Sequence, residues 1–155
     1  MAALLRRSDD QTDAAAVRLQ DPRVKPLVLV VEDHDDTRFM LRYLLEMWGC
    51  RVTTAEDGEA AVRMALSTRP DLILMDAGLP RLDGLAATRC IRDTPALARV
   101  PIVFLSGHAE APFRAVALET GGDDYLTKPF ELGQLERVLE RHLVKEWAGR
   151  AVAAK

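Results

Sequence analysis

The sequence predicts an α/β protein built on a doubly wound parallel sheet, and three observations carry that prediction. Apolar runs recur along the chain, at Leu27 to Val31, Leu72 to Met75, Ile102 to Leu105 and Tyr125 to Thr127. They are short and continuous rather than alternating, as expected of strands buried on both faces. From Leu27 onward a strand pattern and a helix pattern alternate five times, with no internal repeat. Such alternation implies right-handed crossovers and helices on both sides of the sheet.

Each element follows from local signals. Residues 1 to about 25 mix charges, alanines and proline without a sustained period, so a flexible extension is expected, with Ala14 to Leu19 able to form a brief helix. The first strand runs into Glu32 and Asp33, and helix one is predicted over Asp36 to Trp48. Gly49 follows it, where a left-handed C-cap favours glycine. Strand two is about Arg51 to Ala55, and Asp57-Gly58 is the turn into helix two, Glu59 to Thr68. Strand three stops at Asp76, and helix three spans Leu85 to Arg92. Strand four stops at Ser106; helix four covers Ala111 to Thr120 and is closed by Gly121-Gly122. Strand five leads to Lys128-Pro129, a dipeptide suited to a cis turn. Helix five is predicted from Glu131 to Trp147, with Trp147 packing in the stripe of Leu135, Leu139 and Leu143, and Cys90 on helix three is expected to face the core.

Composition narrows the function classes. A chain of 155 residues suffices for one domain with a substantial core. Its 48% hydrophobic and 29% charged residues are ordinary for a globular protein. A net charge of -3 and the lack of a basic patch argue against direct binding of nucleic acid or an anionic membrane. Cys50 and Cys90 form no CxxC motif and read as reduced thiols. Met1 to Arg7 lacks the order of a signal peptide, and no run approaches a membrane span, so the protein is expected in the cytoplasm.

The strand ends carry the chemistry. In open parallel sheets the ligand crevice lies beyond the carboxyl ends of the strands. Glu32, Asp33, Asp76, Ser106 and Lys128 would therefore converge on one edge. Glu32-Asp33-His34-Asp35-Asp36 can be read in two ways: as acids complementing a helix N-terminus, which suits Asp35 and Asp36, or as metal ligands, which suits Glu32 and Asp33. Asp76 followed by Gly78 and Pro80 can be a loop aspartate or a nucleophile toward phosphorus. Ser106 and Lys128 offer a hydroxyl and an ammonium to phosphoryl oxygens. His34 invites a phospho-histidine or metal role, but the preferred reading is a loop histidine beside helix one.

The segments VLVVEDHDDTR, DLILMDAGLPRLDG, PIVFLSGHA and GGDDYLTKPF resemble those of the response-regulator receiver family, of which the chemotaxis regulator is a single-domain member. The resemblance covers about Leu27 to Leu143, and the spacing of Asp76, Ser106 and Lys128 supports it. It implies a flavodoxin-like (βα)5 sandwich of strand order 2-1-3-4-5, with a receiver domain over 26–147 and a C-terminal tail over 148–155 that leaves no room for an output domain. It implies that Asp76 accepts a phosphoryl group from a histidine kinase or phosphotransfer protein in a two-component phosphorelay. Mg2+ would be held by Asp33, Asp76 and the Gly78 carbonyl, with Glu32 acting through water. Lys128 would pair with phosphoryl oxygens, and Ser106 and Tyr125 would be the switch residues. The protein would be a signalling switch rather than a turnover enzyme, a monomer or weak dimer acting on a downstream protein. Gly78 and His108 stand at positions that vary in the family and bear on the lifetime of the phosphorylated state.

On helix one, Arg38, Arg42 and Glu46 form a polar stripe, and Phe39, Tyr43 and Met47 form an apolar one beside it. The apolar stripe reads as packing against helix five or the N-terminal extension, with phosphodonor docking as the sharper alternative. Two competing functions remain. An aspartyl-nucleophile phosphatase of the haloacid-dehalogenase type generally carries a second aspartate where this chain has Gly78. A phosphorylation-independent interaction module would be expected to have lost the acids, the acceptor or the lysine, and all are present.

Overall fold

The computed structural model describes residues 25–107 and 111–143, so residues 1–24, His108 and Trp147 lie outside the described part. Five parallel strands, β1 (Leu27–Val31), β2 (Arg51–Ala55), β3 (Leu72–Asp76), β4 (Ile102–Ser106) and β5 (Asp124–Thr127), form one sheet in the order β2-β1-β3-β4-β5. Five helices follow them in turn: α1 (Asp35–Met47), α2 (Gly58–Thr68), α3 (Gly84–Asp93), α4 (Ala111–Glu119) and α5 (Leu132–His142), with a 3-10 turn at Pro95–Leu97. The fold is the flavodoxin-like doubly wound sandwich, and the order places the switch point between β1 and β3.

The continuous apolar runs are explained by burial from both sides. Every residue of β1, β3 and β4 is buried. On one face Val28, Val30, Leu72, Leu74, Val103 and Leu105 pack beneath Leu41 and Leu45 of α1 and Leu135 and Leu139 of α5. On the other, Leu29, Ile73, Met75 and Phe104 meet Ala61 and Ala65 of α2 and Ala87 and Ile91 of α3. Small residues on α2 and α3 let those helices approach the sheet closely. β2 is one of the two edge strands and is half-exposed.

Helix termini follow the predicted chemistry with small shifts. Asp57 and Asp83 cap α2 and α3 through the Ala60 and Ala86 amides. Gly49 and Gly121 take the positive φ values of 90° and 124° expected after α1 and α4. The Lys128-Pro129 peptide is cis, as the dipeptide suggested.

Two expectations need correction. Cys90 is exposed, not core-facing, because the buried arc of α3 is set by Gly84, Ala87, Thr88 and Ile91 and Cys90 lies off it. Helix five ends at His142, with Leu143 extended, short of the predicted Trp147.

Two polar clusters tie the crossovers to the sheet. The Arg92 guanidinium donates to the carbonyls of Gly121 (2.9 Å), Val100 (2.7 Å) and Ala98 (3.2 Å) and to Asp123 Oδ2 (2.8 Å). It thereby joins α3 to the loops leading into β4 and β5. Asp124 accepts from Arg141 (2.7 Å) and the Tyr125 amide (2.9 Å), and its Oδ2 lies 2.9 Å from His142 Nε2, anchoring the last turn of α5 to β5. Burial raises the Asp124 carboxyl, but the His142, Tyr125 and Arg141 contacts together hold it below the ordinary carboxylate value.

Replacing Arg92 with Ala is expected to cost about 2–3 kcal/mol in urea unfolding, since several carbonyls lose their donor at once. Lysine should restore only part of this, because an ammonium cannot reproduce the fork. For Asp124, a depressed carboxylate pKa gives stability that is present above the ordinary value and lost as pH falls through the lower folded value. The stability gap between the parent and Asp124→Asn should therefore be constant near neutrality and close on acidification, measured by urea midpoints across pH.

Candidate functional site

The ends of β1, β3, β4 and β5 bring the predicted polar residues to one edge. Glu32 and Asp33 leave β1, with the Glu32 amide still bonded to the Ala55 carbonyl at 3.0 Å. Asp76 ends β3, and the next amide, Ala77, donates to Leu105 at 3.1 Å. The Lys128 amide donates to the Ser106 carbonyl at 2.7 Å, which fixes the lysine next to the end of β4. Each side chain is thus aimed by backbone that the sheet already holds.

Charge is densely concentrated here. One ligand atom from each of Glu32, Asp33, His34 and Asp76 lies within 4.8 Å of the others. Glu32 is fully buried, and its Oε2 accepts from Lys128 Nζ at 2.6 Å. Its Oε1 lies 3.1 Å from His34 Nδ1 and accepts from the His34 amide at 3.3 Å. Asp76 is also buried; its Oδ1 accepts from the Gly78 amide at 3.0 Å and its Oδ2 lies 3.6 Å from Lys128 Nζ. Burial pushes the Asp76 carboxyl above its ordinary value, and Glu32 and Asp33 add to the rise. The Gly78 amide and Lys128 oppose it. The exposed His34 is raised as well, by its Glu32 contact first and then by the charges of Asp33 and Glu32.

The donor set fits a small divalent cation. Asp33 Oδ1 is buried and accepts no hydrogen bond, although His34 Nδ1 approaches to 3.2 Å. Glu32, by contrast, has both oxygens engaged. An orphaned carboxylate oxygen beside two further carboxylates is what a Mg2+ ion with retained waters would relieve.

The remaining predicted residues fall around this edge. Ser106 is buried at the end of β4. Tyr125 is buried, its ring meeting Phe113 edge-on at 6.3 Å, with the Arg114 guanidinium 6.0 Å from its centroid. Gly78 is exposed, and its nearest polar side chain is Asp76. On α1, Arg38 is not a free polar stripe. It folds back to the Glu32 carbonyl at 3.0 Å and pairs with Asp35 and Glu56. Phe39, Tyr43 and Met47 are 72%, 57% and 55% exposed, and Met40 joins them at 46%. Packing of this stripe on the described part of helix five is therefore not seen, and the other expected cover, the N-terminal extension, lies outside the described residues.

Sequence reasoning assigned no role to Gly84. A Cβ there would sit 2.3 Å from the Asp76 carbonyl oxygen, so only glycine lets the first turn of α3 press against the acceptor loop. The Asp83-Gly84 pair was the available signal.

Comparisons with known proteins agree with this geometry. The family model described as the response regulator receiver domain matches residues 28–140. The chain is 41% identical over 119 residues to the KDP operon transcriptional regulatory protein KdpE of Escherichia coli, covering 74% of this chain and 52% of that protein. It is 42% identical over 110 residues to the transcriptional regulatory protein PrrA of Mycobacterium leprae, covering 71% and 46% respectively. The chain thus spans about half the length of the curated relatives it matches. Among solved structures, the receiver domain of the sensor histidine kinase PA1611 of Pseudomonas aeruginosa is 42% identical with a TM-score of 0.71, covering 81% of this chain and 98% of that one. That structure has a magnesium ion coordinated in its active site cleft. The Vibrio cholerae chemotaxis protein CheY4 is 28% identical with a TM-score of 0.73, covering 77% and 99%.

Asp76→Asn is expected to raise the melting temperature of the metal-free protein near neutral pH. An acid whose folded pKa is raised carries a penalty when ionised, full above the raised value and absent below the ordinary one. The gain should therefore shrink as pH falls through that interval. A fall in melting temperature at neutral pH would contradict this assignment of the carboxylate crowding.

Proposed function

The chain belongs to the response regulator receiver family, and we propose that it is a phosphoacceptor switch in which Asp76 takes a phosphoryl group from a histidine kinase or phosphotransfer protein. The observation that carries the proposal is the set Glu32, Asp33, Asp76 and Lys128 gathered at one sheet edge, with a buried, unbonded Asp33 oxygen beside the acceptor.

In this reading an Asp76 carboxylate oxygen attacks phosphorus, and the new oxygen–phosphorus bond forms as the bond to the donor histidine nitrogen breaks. The transition state is loose, so positioning and charge neutralisation do most of the catalysis. Mg2+, held by Asp33, Asp76 and the Gly78 carbonyl with Glu32 acting through water, would supply Lewis-acid neutralisation of the phosphoryl oxygens. Lys128 pairs with another of those oxygens. The Gly78 amide keeps the Asp76 carboxylate oriented before attack. Ser106 then moves to hydrogen-bond the phosphoryl group, and the expected inward turn of Tyr125, whose ring is already buried, becomes its closer packing behind Ser106; the population shifts toward a second surface conformation. The output is a change in binding to another protein, without contact to nucleic acid. Turnover is limited to the protein's own phosphorylation and dephosphorylation, in the cytoplasm, as a monomer or weak dimer.

The exposed apolar stripe of α1 supports a second part of the proposal. Phe39, Tyr43 and Met47 would receive the helical bundle that carries the donor histidine, close to the acidic edge.

Incubation with acetyl phosphate and Mg2+ should add one phosphoryl mass to the intact protein and none to Asp76→Asn. Absence of a Mg2+-dependent adduct, under conditions that label another receiver, would refute the acceptor assignment. Replacing Tyr43 and Met47 with Ser should slow kinase-dependent transfer about tenfold, as expected for loss of central apolar contacts. Acetyl phosphate labelling should be unchanged, and equal loss of both would count against docking.

A further inference from the structure

We infer that His34 is an additional ligand at the acidic edge, one that biases the site toward first-row transition cations relative to Mg2+. The inference rests on the reading of that edge as a cation site and goes beyond it in naming a nitrogen donor. His34 is the N-cap residue of α1, yet its side chain makes no capping bond. The imidazole turns to the acids instead: Nδ1 lies 3.1 Å from Glu32 Oε1 and 3.2 Å from Asp33 Oδ1. Ligand atoms on adjacent corners of an octahedron with bonds of about 2.1 Å are separated by about 3.0 Å. The Nδ1–Asp33 Oδ1 distance is therefore that of two neighbours on one ion, and one ligand atom from each of Glu32 and Asp76 lies within 4.8 Å of both.

Two further features point the same way. Asp33 Oδ1, the atom that His34 Nδ1 approaches, is buried and accepts no hydrogen bond. His34 is 75% exposed, so packing does not dictate its orientation, and the carboxylates are what it meets. Its amide also donates to Glu32 Oε1 at 3.3 Å, which keeps the residue close to that carboxylate. An all-oxygen set suits Mg2+, whereas an added imidazole contributes most to cations such as Co2+, Ni2+ and Zn2+. The expected consequence is a site that accepts Mg2+ but binds Ni2+ more tightly than its carboxylates alone would.

Titration calorimetry of the untagged chain at about pH 8, above the ordinary imidazole value, with the metal displacing any proton that Glu32 and Asp33 retain on His34, tests this with Mg2+ and Ni2+. The variants are His34→Ala, His34→Asn and, as a control at a second of the three histidines, His108→Ala. Loss of His34 should weaken Ni2+ binding by about tenfold or more while Mg2+ affinity changes by less than about threefold. His108→Ala should match the parent. Unchanged Ni2+ affinity in both His34 variants overturns the inference, and so does a parallel loss for both cations. Failure of the parent to bind either cation would overturn the cation reading of the acidic edge as well. Nitrogen hyperfine coupling from bound Mn2+, present in the parent and lost in His34→Ala, gives an independent spectroscopic reading of the same bond.

Discussion

The contact on which the site depends is the Lys128 ammonium, 2.6 Å from Glu32 and 3.6 Å from Asp76. Glu32 is wholly buried, and an ionised carboxylate there without a partner would cost several kcal/mol. The pair joins residues 96 positions apart, so it closes the ends of β1 and β5 across β3 and β4. It leaves the edge electrically unfinished, because three carboxylates and one ammonium crowd a small volume. A cation and a phosphoryl group bring charges that such a place can use. On the proposed reading, a phosphoryl group on Asp76 also competes with Glu32 for the same ammonium, which links chemistry at the acceptor to the end of β5.

The sheet makes that electrostatic tension tolerable. β1, β3 and β4 are covered on both faces, so the acids are mounted on backbone with little freedom to move apart. Gly84 adds a second brace by letting α3 abut the Asp76 carbonyl. The apolar outer stripe of α1 begins one turn after the same acidic edge. Chemistry and proposed recognition are therefore adjacent but use different residues.

Much of this was legible in the chain because buried parallel strands write themselves as continuous apolar runs, and their last residues are the ones that meet the crevice. Asp76 and Ser106 could be assigned to strand ends without coordinates for that reason. Cys90 was misjudged because the α3 segment holds few large apolar residues, so its periodicity left the buried arc ambiguous. The α1 stripe was visible as spacing, but spacing does not reveal whether another element covers it. Spacing places Arg38 in a polar stripe but does not show that it folds back, because its target, the Glu32 carbonyl, is a backbone atom with no signature in the pattern. For His34 the sequence leaves a metal role behind a loop-histidine reading, because only the turn out of β1 aims the ring at the acids.

By itself the sequence determined the number and order of elements, the parallel sheet, and which residues stand at strand ends, since these follow from local periodicity and from the fixed hand of crossovers. The tertiary structure decided which charges share space. It put Lys128 on Glu32 more closely than on Asp76, left one Asp33 oxygen unbonded, turned His34 toward both acids, and kept Phe39, Tyr43 and Met47 in solvent. Those outcomes depend on ångström distances between segments far apart in the chain, and electrostatic energy is set by such distances and by burial rather than by order along the sequence.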